Sequence, residues 1–516
     1  PNSILVHSPS PAAGTPTAGN LIKGYTGGSD TGAEAKAGVY RIADETNAPS
    51  PLDNQEEKQS IYDELIAAKR VESSNVVSVV SRYNWNTVTN PKFDMYKPDY
   101  SAAPASGGTA KAAATGATSL GAAKFYVMNN NYEVFKCLYN KEDVVSGGGN
   151  ASDMPTTANN YASGVYTGPT DGYRWKYLYT MTTQQVMDFL SSDFMPIGTY
   201  AGPAATDGAI DTILISDAGS ALPTGATLYG PILGDGADGV AKITTDGTGA
   251  ISAVEVQTAG NDYTYGSVAL KSGTGTGAGG NAYGLFSDAT LSTAETISGT
   301  ARGALEVIIP PAGGHGANLA QELNGKRVMV NVRLTYAEGS GDFPVDNDFR
   351  RIGLIKDPLQ WGSTNYATAN TLSGVYAVRV NGTGLTSSSF GKDNTITQTL
   401  NGGAGTAKGT VVSWTADGNG NGGILKYFQS PKAHTDNGIV RAFENNSSSA
   451  IVDSGTSVSV NPDSTYSSTT EGVTFASGLA TPEIKNNSGE LVYIENRRLI
   501  TRAADQIEDI KLVIEF

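Results

Sequence analysis

The sequence predicts a mainly β fold with a few short helices, a β-rich α+β class. Three observations predict it. The 516 residues include 63 glycines, only 16% of them are charged, and apolar residues alternate in short runs between turn signals. Composition also shifts twice along the chain, which predicts a discontinuous two-layer β core interrupted by two small Gly-rich all-β insertions. The expected pieces are an extended arm or loop over 1–51 and a first core part over 52–200. A β-rich insertion with two related halves follows over 201–301, then a second core part over 302–360. A second β-rich insertion with a low-complexity loop covers 361–481, and a closing core segment covers 482–516.

The elements follow in order. The first fifty residues are rich in Gly, Ala, Ser, Pro and Thr with little periodicity, hence the arm. "EEKQSIYDELIAAKRV" (56–71) places Ile61, Leu65 and Ile66 at helical spacing, with acids early and Lys69 and Arg70 late, and predicts a helix. "SSNVVSVVSRYNW" predicts a strand leading to Trp85, and 101–123 a loop. "KFYVMNNNYEVFKCLYN" predicts two short strands around an Asn-rich turn at 129–131. Pro169-Thr170-Asp171-Gly172 is a turn signal ahead of a strand over 173–181. Thr182 then has the place of a helix N-cap, with Gln185 as capping-box partner and Val186, Phe189 and Leu190 on the buried side.

In the first insertion, Ala218-Gly219 and Ala259-Gly260 lie 41 residues apart, each between an alternating strand and a turn. Two copies are too few for a solenoid. "ALEVIIPPAGGHGAN" and "KRVMVNVRLTY" return to core composition and lead into "DNDFRRIGLIKDP". Short strands are expected at "GVYAVRVNGTG", "NTITQTL" and "GTVVSWTADGNGNGGILKYF", a loop over 437–480, and a core strand over Lys511–Phe516.

The formal net charge is −15 and no block of Lys and Arg occurs, which argues against nucleic-acid binding through phosphate neutralisation. The longest apolar runs fall far short of a membrane span, and "PNSILVHSPSPAAG" has neither the basic start nor the apolar run of a signal peptide. The single Cys137 excludes an internal disulfide and a Cys-based zinc site; its alternating apolar context predicts a buried inert thiol and assembly in a reducing cytoplasm.

Motifs for chemistry are weak. The three histidines, His7, His315 and His434, sit in unrelated contexts without HExxH, GxSxG or a Cys–His pairing. His315 in "PPAGGHGAN" is best read as turn-stabilising or core-bonded. "GTGTGAGG" (273–280) lacks the Lys-Ser/Thr ending of a phosphate loop. Asp235, Asp238 and Asp246 match no EF-hand spacing and read as Asp-Gly turns. No order of residues selects a carboxylate pair for glycoside hydrolysis. Tyr173, Trp175, Tyr177 and Tyr179 fall on alternate positions of one strand, so one apolar face is expected, as core or interface rather than a sugar platform. No catalytic residue, cofactor or metal site is expected.

Two segments then point to a family. "DGYRWKYLYTM" (171–181) and the ending "SGELVYIENRRLITRAADQIEDIKLVIEF" (488–516) resemble the dimeric baseplate wedge subunits of T-even-like contractile-tailed bacteriophages. The matching positions of the ending are Gly489, Glu490, Tyr493, Glu495, Asn496 and Arg497, with Phe516 last. "AAKRVESSNVVSVVSRYNW", "FYVMNNNYEVFKCLYN" and "GGHGAN…NDFRRIGLIKDP" look like the marine and cyanobacterial phage versions. The resemblance covers about half the chain, in the three core pieces. It implies a non-enzymatic virion protein of the tail baseplate, assembled in the host cytoplasm, without nucleic-acid binding or membrane insertion. Two copies would pair as a homodimer against the other wedge proteins and neighbouring wedges, with tail-fibre attachment proteins as further partners. The baseplate would rearrange when the sheath contracts. On this reading Asp171, Gly172, Tyr173, Trp175, Tyr177, Tyr179, His315, Arg350, Glu495, Asn496 and Arg497 are structural or interface residues. The first fifty residues and the large insertions depart from the family pattern. A tail-associated receptor- or glycan-binding module acting through the insertions is the alternative.

Overall fold

The computed structural model describes residues 21–26, 29–36, 51, 54–55, 58, 61–62, 65–85, 91–100, 113–145, 147–158, 164–277, 281–334, 349–498 and 508–515. Strand accounts for 39% of it, and two short helices, Thr183–Phe189 and Leu319–Glu322, are described in full. The chain divides into two compact units. One comprises Glu72–Asn331 with Ile510–Phe516, the other Pro1–Val71 with Val332–Asp509.

The Glu72–Asn331 unit is built around an antiparallel sheet in the order Tyr126–Met128, Glu133–Tyr139, Arg174–Thr180, Val165–Thr167. The turn between the first two strands is set by Asn129, whose Oδ1 accepts from the backbone of Asn131 and Glu133 (2.9 and 3.0 Å). Thr182 caps the helix that follows the third strand. Its hydroxyl accepts from the backbone of Gln185 and the Gln185 side chain returns the bond, so the capping box forms as the spacing predicts. Phe189 is buried, with Val186 and Leu190 packed against the core. A second sheet orders Glu508–Glu515, Arg327–Leu334, Val76–Ser81 and Phe194–Pro196.

Residues 210–308 add two strand pairs that repeat each other's register. Thr212–Asp217 pairs with Ala304–Ile308, and Val240–Thr245 with Ile251–Thr258; Ser216 and Gln257 are bulged at equivalent places. Ala218 O accepts from Ile251 N at 2.8 Å, and Ala259 O from Ile210 N at 3.0 Å. Gly219 and Gly260 follow at φ 61° and 65°, where a Cβ would come within 2.4 Å of backbone, so both turns require glycine. Buried Ile, Leu and Val residues from both pairs form one apolar cluster.

In the other unit, six antiparallel strands close on themselves in the order Gly422–Phe428, Thr406–Ala416, Thr395–Thr399, Ile451–Asp453, Ser459–Pro462, Tyr376–Asn381, and back to Gly422–Phe428. Val378, Ile396, Val411, Leu425, Tyr427 and Ile451 fill the interior. Phe349–Lys356 and Glu490–Arg498 form a separate two-stranded ribbon.

Three expectations are corrected. The helix expected over 56–71 includes Gln55, Lys58, Ile61 and Tyr62 but has ended by Leu65; Ala67–Lys69 is a strand paired with Thr371–Ser373. Helical spacing there loses to the backbone hydrogen bonds this second strand offers. The arm expected over 1–51 contains a hairpin of Leu21–Thr26 with Ser29–Lys36, whose bulged register an alternation search does not detect; residues 1–20 and 37–50 lie outside the described residues. The loop expected over 437–480 supplies three strands to the sheet that holds the closed ring, Ile451–Asp453 and Ser459–Pro462 within the ring and Leu479–Ala480 against Tyr376–Asn381, because Ile451 and Val460 point inward from a Ser/Thr-rich background.

Candidate functional site

The aromatic strand lies in the middle of the first sheet, and its turn explains its start. Asp171 is buried, and its carboxylate accepts from the backbone N–H groups of Ser152, Asp153 and Tyr173 (2.7, 2.9 and 2.9 Å). Gly172 sits at φ 70°, with Lys141 against the place of a Cβ. Tyr173 and Trp175 are fully buried and stack at 5.5 Å, and Phe93 meets the Trp175 ring edge-on at 5.3 Å. Tyr179 is also fully buried, its hydroxyl donating to Pro196 O at 2.9 Å.

The expected single face does not run the full length. Phe135 pairs with Tyr177 and Val134 with Tyr179, so Leu178 is an extra residue and the alternation breaks there. Tyr177 is half-buried, tilted on Phe135 with its hydroxyl bonded to Thr180 Oγ1, while Leu178 is fully buried.

The other side of this sheet carries a polar cluster. Register sets Lys136 opposite Lys176, and Lys136 has no exposed surface. Its ammonium donates to Glu322 Oε1 and to His315 Nδ1, under the face of the Tyr96 ring at 3.7 Å. Glu322 Oε2 accepts from Gly316 N at 2.7 Å. Because Lys136 can only donate, His315 Nδ1 is the accepting nitrogen. The ring proton then sits on Nε2, facing Asp211 Oδ2 at 3.7 Å, and Lys176 reaches the same oxygen at 3.6 Å. Asn318 caps the short helix that presents Glu322, and the "PPAGGHGAN" turn presents His315.

Charge and burial fix the protonation states. Burial pushes Lys136 down to about 8, opposed by Glu322, so it remains a cation at neutral pH. Burial and then the Lys136 charge lower His315 to about 4, so it is neutral. Burial alone would raise Glu322, but the charge and hydrogen bond of the Lys136 ammonium outweigh it and hold the carboxyl low, at about 2. The side chains of Lys136, Glu322 and His315 are 0%, 1% and 3% exposed, which leaves no approach for a reactant. The cluster therefore acts as a charged pin through three segments of the unit.

The remaining candidates lie in the other unit. On the ribbon, Arg497 forms an ion pair with Glu495 at 3.0 Å, and Tyr493 donates to the same carboxylate at 3.1 Å. Asn496 Oδ1 accepts from Arg351 Nε at 3.1 Å. The backbone of Arg350 pairs with that of Arg497; its side chain lies outside the described residues. His434 accepts from Ser430 N on Nδ1 (2.9 Å), so Nε2–H donates to Thr410 Oγ1 at 2.8 Å. Among the described residues no group of three His, Cys, Asp or Glu side chains is placed to hold a metal ion. Asp246 accepts from the backbone N–H groups of Thr248 and Ala250 in its own turn, whereas Asp235, expected in a turn of its own, accepts from those of Thr264 and Tyr265, 29 and 30 positions on.

Sequence reasoning singled out His315 but not Tyr96, Lys136, Lys176, Asp211 or Glu322. The one available signal was Lys136 itself, a charge inside the apolar run "YEVFKCLYN". No family model, curated protein or solved structure matches the chain.

Proposed function

We propose that this chain is a non-enzymatic structural subunit of a contractile phage tail, placed in the baseplate wedge and paired as a dimer with a two-layer β core. The observation that carries the reading is the use made of the reactive groups. Lys136, His315 and Glu322 bind one another in the interior, and Tyr173, Trp175 and Tyr179 pack into the same sheet. Chemistry-bearing residues spent on rigidity suit a part that must hold its shape while its neighbours move. The resemblance in "DGYRWKYLYTM" and "GELVYIENRR" supplies the assembly. Co-expression with the other tail proteins of the same phage tests it: the chain is expected to sediment in a complex far larger than itself. Sedimenting alone in their presence contradicts it.

The glycan-binding alternative rests on exposed aromatics of the first insertion. Tyr265 is 62% exposed, and Tyr283, 39% exposed, lies under the Lys271 ammonium at 4.5 Å. Retention of the purified chain on host-surface polysaccharide, lost in Tyr265→Ala and Tyr283→Ala together, would favour it over the wedge reading.

A further inference from the structure

A second lysine–glutamate pair lies in the interior of the Glu72–Asn331 unit, outside the His315 cluster. Lys97 and Glu142 form an ion pair, with side chains 11% and 1% exposed. Local bonds set the two against each other. Tyr96 N donates to Cys137 O at 2.8 Å, which docks the residue before Lys97 on the strand Glu133–Tyr139. Asn140 Nδ2 donates to Phe93 O and its Oδ1 accepts from Glu142 N (2.9 and 3.0 Å), which ties the turn carrying Glu142 to the same segment.

The two buried pairs differ in what else supports the carboxylate. Glu322 has the Gly316 N–H as well as Lys136, and stays ionised. Among the described residues no backbone N–H, hydroxyl or amide donates to either oxygen of Glu142, so Lys97 is its one support. Burial pushes the Glu142 carboxyl up. The Lys97 charge and hydrogen bond oppose the rise, the negative charges of Glu306 and Asp143 add to it, and the net direction is upward. Two buried ions with so little support are costly, and one proton passed from nitrogen to oxygen leaves a neutral amine beside a neutral acid. In water an amine and an acid stay as ammonium and carboxylate, which do not condense. The dry site favours the neutral forms, and fixed contact replaces a bimolecular encounter, with effective concentrations on the order of 10⁵–10⁸ M for well-oriented groups.

We propose that Lys97 and Glu142 condense into an intramolecular amide, an isopeptide cross-link between Nζ and Cδ. The ammonium first gives one proton to the carboxylate. The Nζ lone pair then attacks Cδ and the N–C bond forms. The C–OH bond breaks, and the hydroxyl leaves with a second nitrogen proton as water. Nothing is oxidised or reduced, and the step needs no co-reactant. The partly exposed Lys97 side chain gives the water its way out. The product is a covalent staple across 45 positions of the chain, in a unit whose other buried pair remains ionic. The bond needs nothing but this chain, so it stands apart from the baseplate reading.

The experiment is mass spectrometry of the full chain, purified in its folded form and then denatured. The chain is expected to weigh one water less than its sequence. Trypsin should release a branched peptide that joins residues 93–111 to residues 142–174 through Lys97 and Glu142. Lys97→Arg keeps the charge but not the nucleophilic amine, and should return to the full sequence mass; if that variant does not fold, the wild-type branched peptide decides alone. Wild type at full mass, with 93–111 and 142–174 released only as separate peptides, overturns the proposal. Water lost elsewhere, in a succinimide at an Asp-Gly turn or between Lys136 and Glu322, with no branched peptide at Lys97, overturns it equally.

Discussion

Glu322→Gln removes the countercharge of a lysine with no exposed surface while keeping size and an oxygen for the Gly316 N–H. Breaking a buried ion pair from one side costs about 3–5 kcal/mol, because the remaining charge has neither water nor partner. The loss is bounded because Lys136, already lowered to about 8, can surrender its proton rather than remain a lone cation. Lys136→Met with Glu322→Gln removes both charges and fills the same space, and should recover to within about 2 kcal/mol of wild type. Urea unfolding followed by tryptophan fluorescence is the assay. Trp361 and Trp414 belong to the other unit, so a Trp361→Phe, Trp414→Phe background leaves Trp85 and Trp175 to report on the unit with the cluster. A Glu322→Gln cost under about 0.5 kcal/mol, or a double variant as unstable as the single, would refute the pin.

Acid should destabilise the same unit in two steps. His315 is lowered to about 4 from 6.5, so below pH 6.5 the unfolded chain takes up a proton that the native ring refuses; stability is full above that pH and falls toward pH 4, by up to about 3 kcal/mol. Glu322, lowered to about 2 from 4.5, adds a further loss as pH falls from 4.5 to 2, and His315→Gln should abolish only the first step in a pH series of urea midpoints. Gly260→Ala places a Cβ 2.4 Å from Ala237 O at a positive φ and should cost more than about 2 kcal/mol in thermal unfolding. Gly277→Ala, also at positive φ but with nothing within 4 Å, should cost about 1 kcal/mol. Cys137 is fully buried with its thiol pushed up by burial, and should react with an aromatic disulfide reagent only when urea unfolds the chain.

Local signals were legible where local bonds decide the structure. The Asn129 turn and the Thr182 capping box draw their partners from nearby in the chain, as Asp171 does with Tyr173, and the sequence carries those partners in order; the bonds of Asp171 to Ser152 and Asp153, 19 and 18 positions away, were not legible. The polar cluster was not legible, because Lys136 bonds to residues 179 and 186 positions away and no spacing rule links them. The Leu178 bulge was equally hidden. Strict alternation put Tyr177 with its aromatic neighbours, whereas the register of the adjacent strand decides which residue is extra. Closure of the six-stranded sheet depends on Ile451–Asp453 and Ser459–Pro462, three and four residues in a polar stretch, too short for periodicity to distinguish from loop.

The measurement that tests the central claim most directly is the place of this chain in an intact tail particle, read by electron cryomicroscopy of purified phage. The account predicts paired copies of the chain in every baseplate wedge, in contact with other wedge proteins before and after sheath contraction. Complete, contractile tails in which the chain is absent from the baseplate would contradict it.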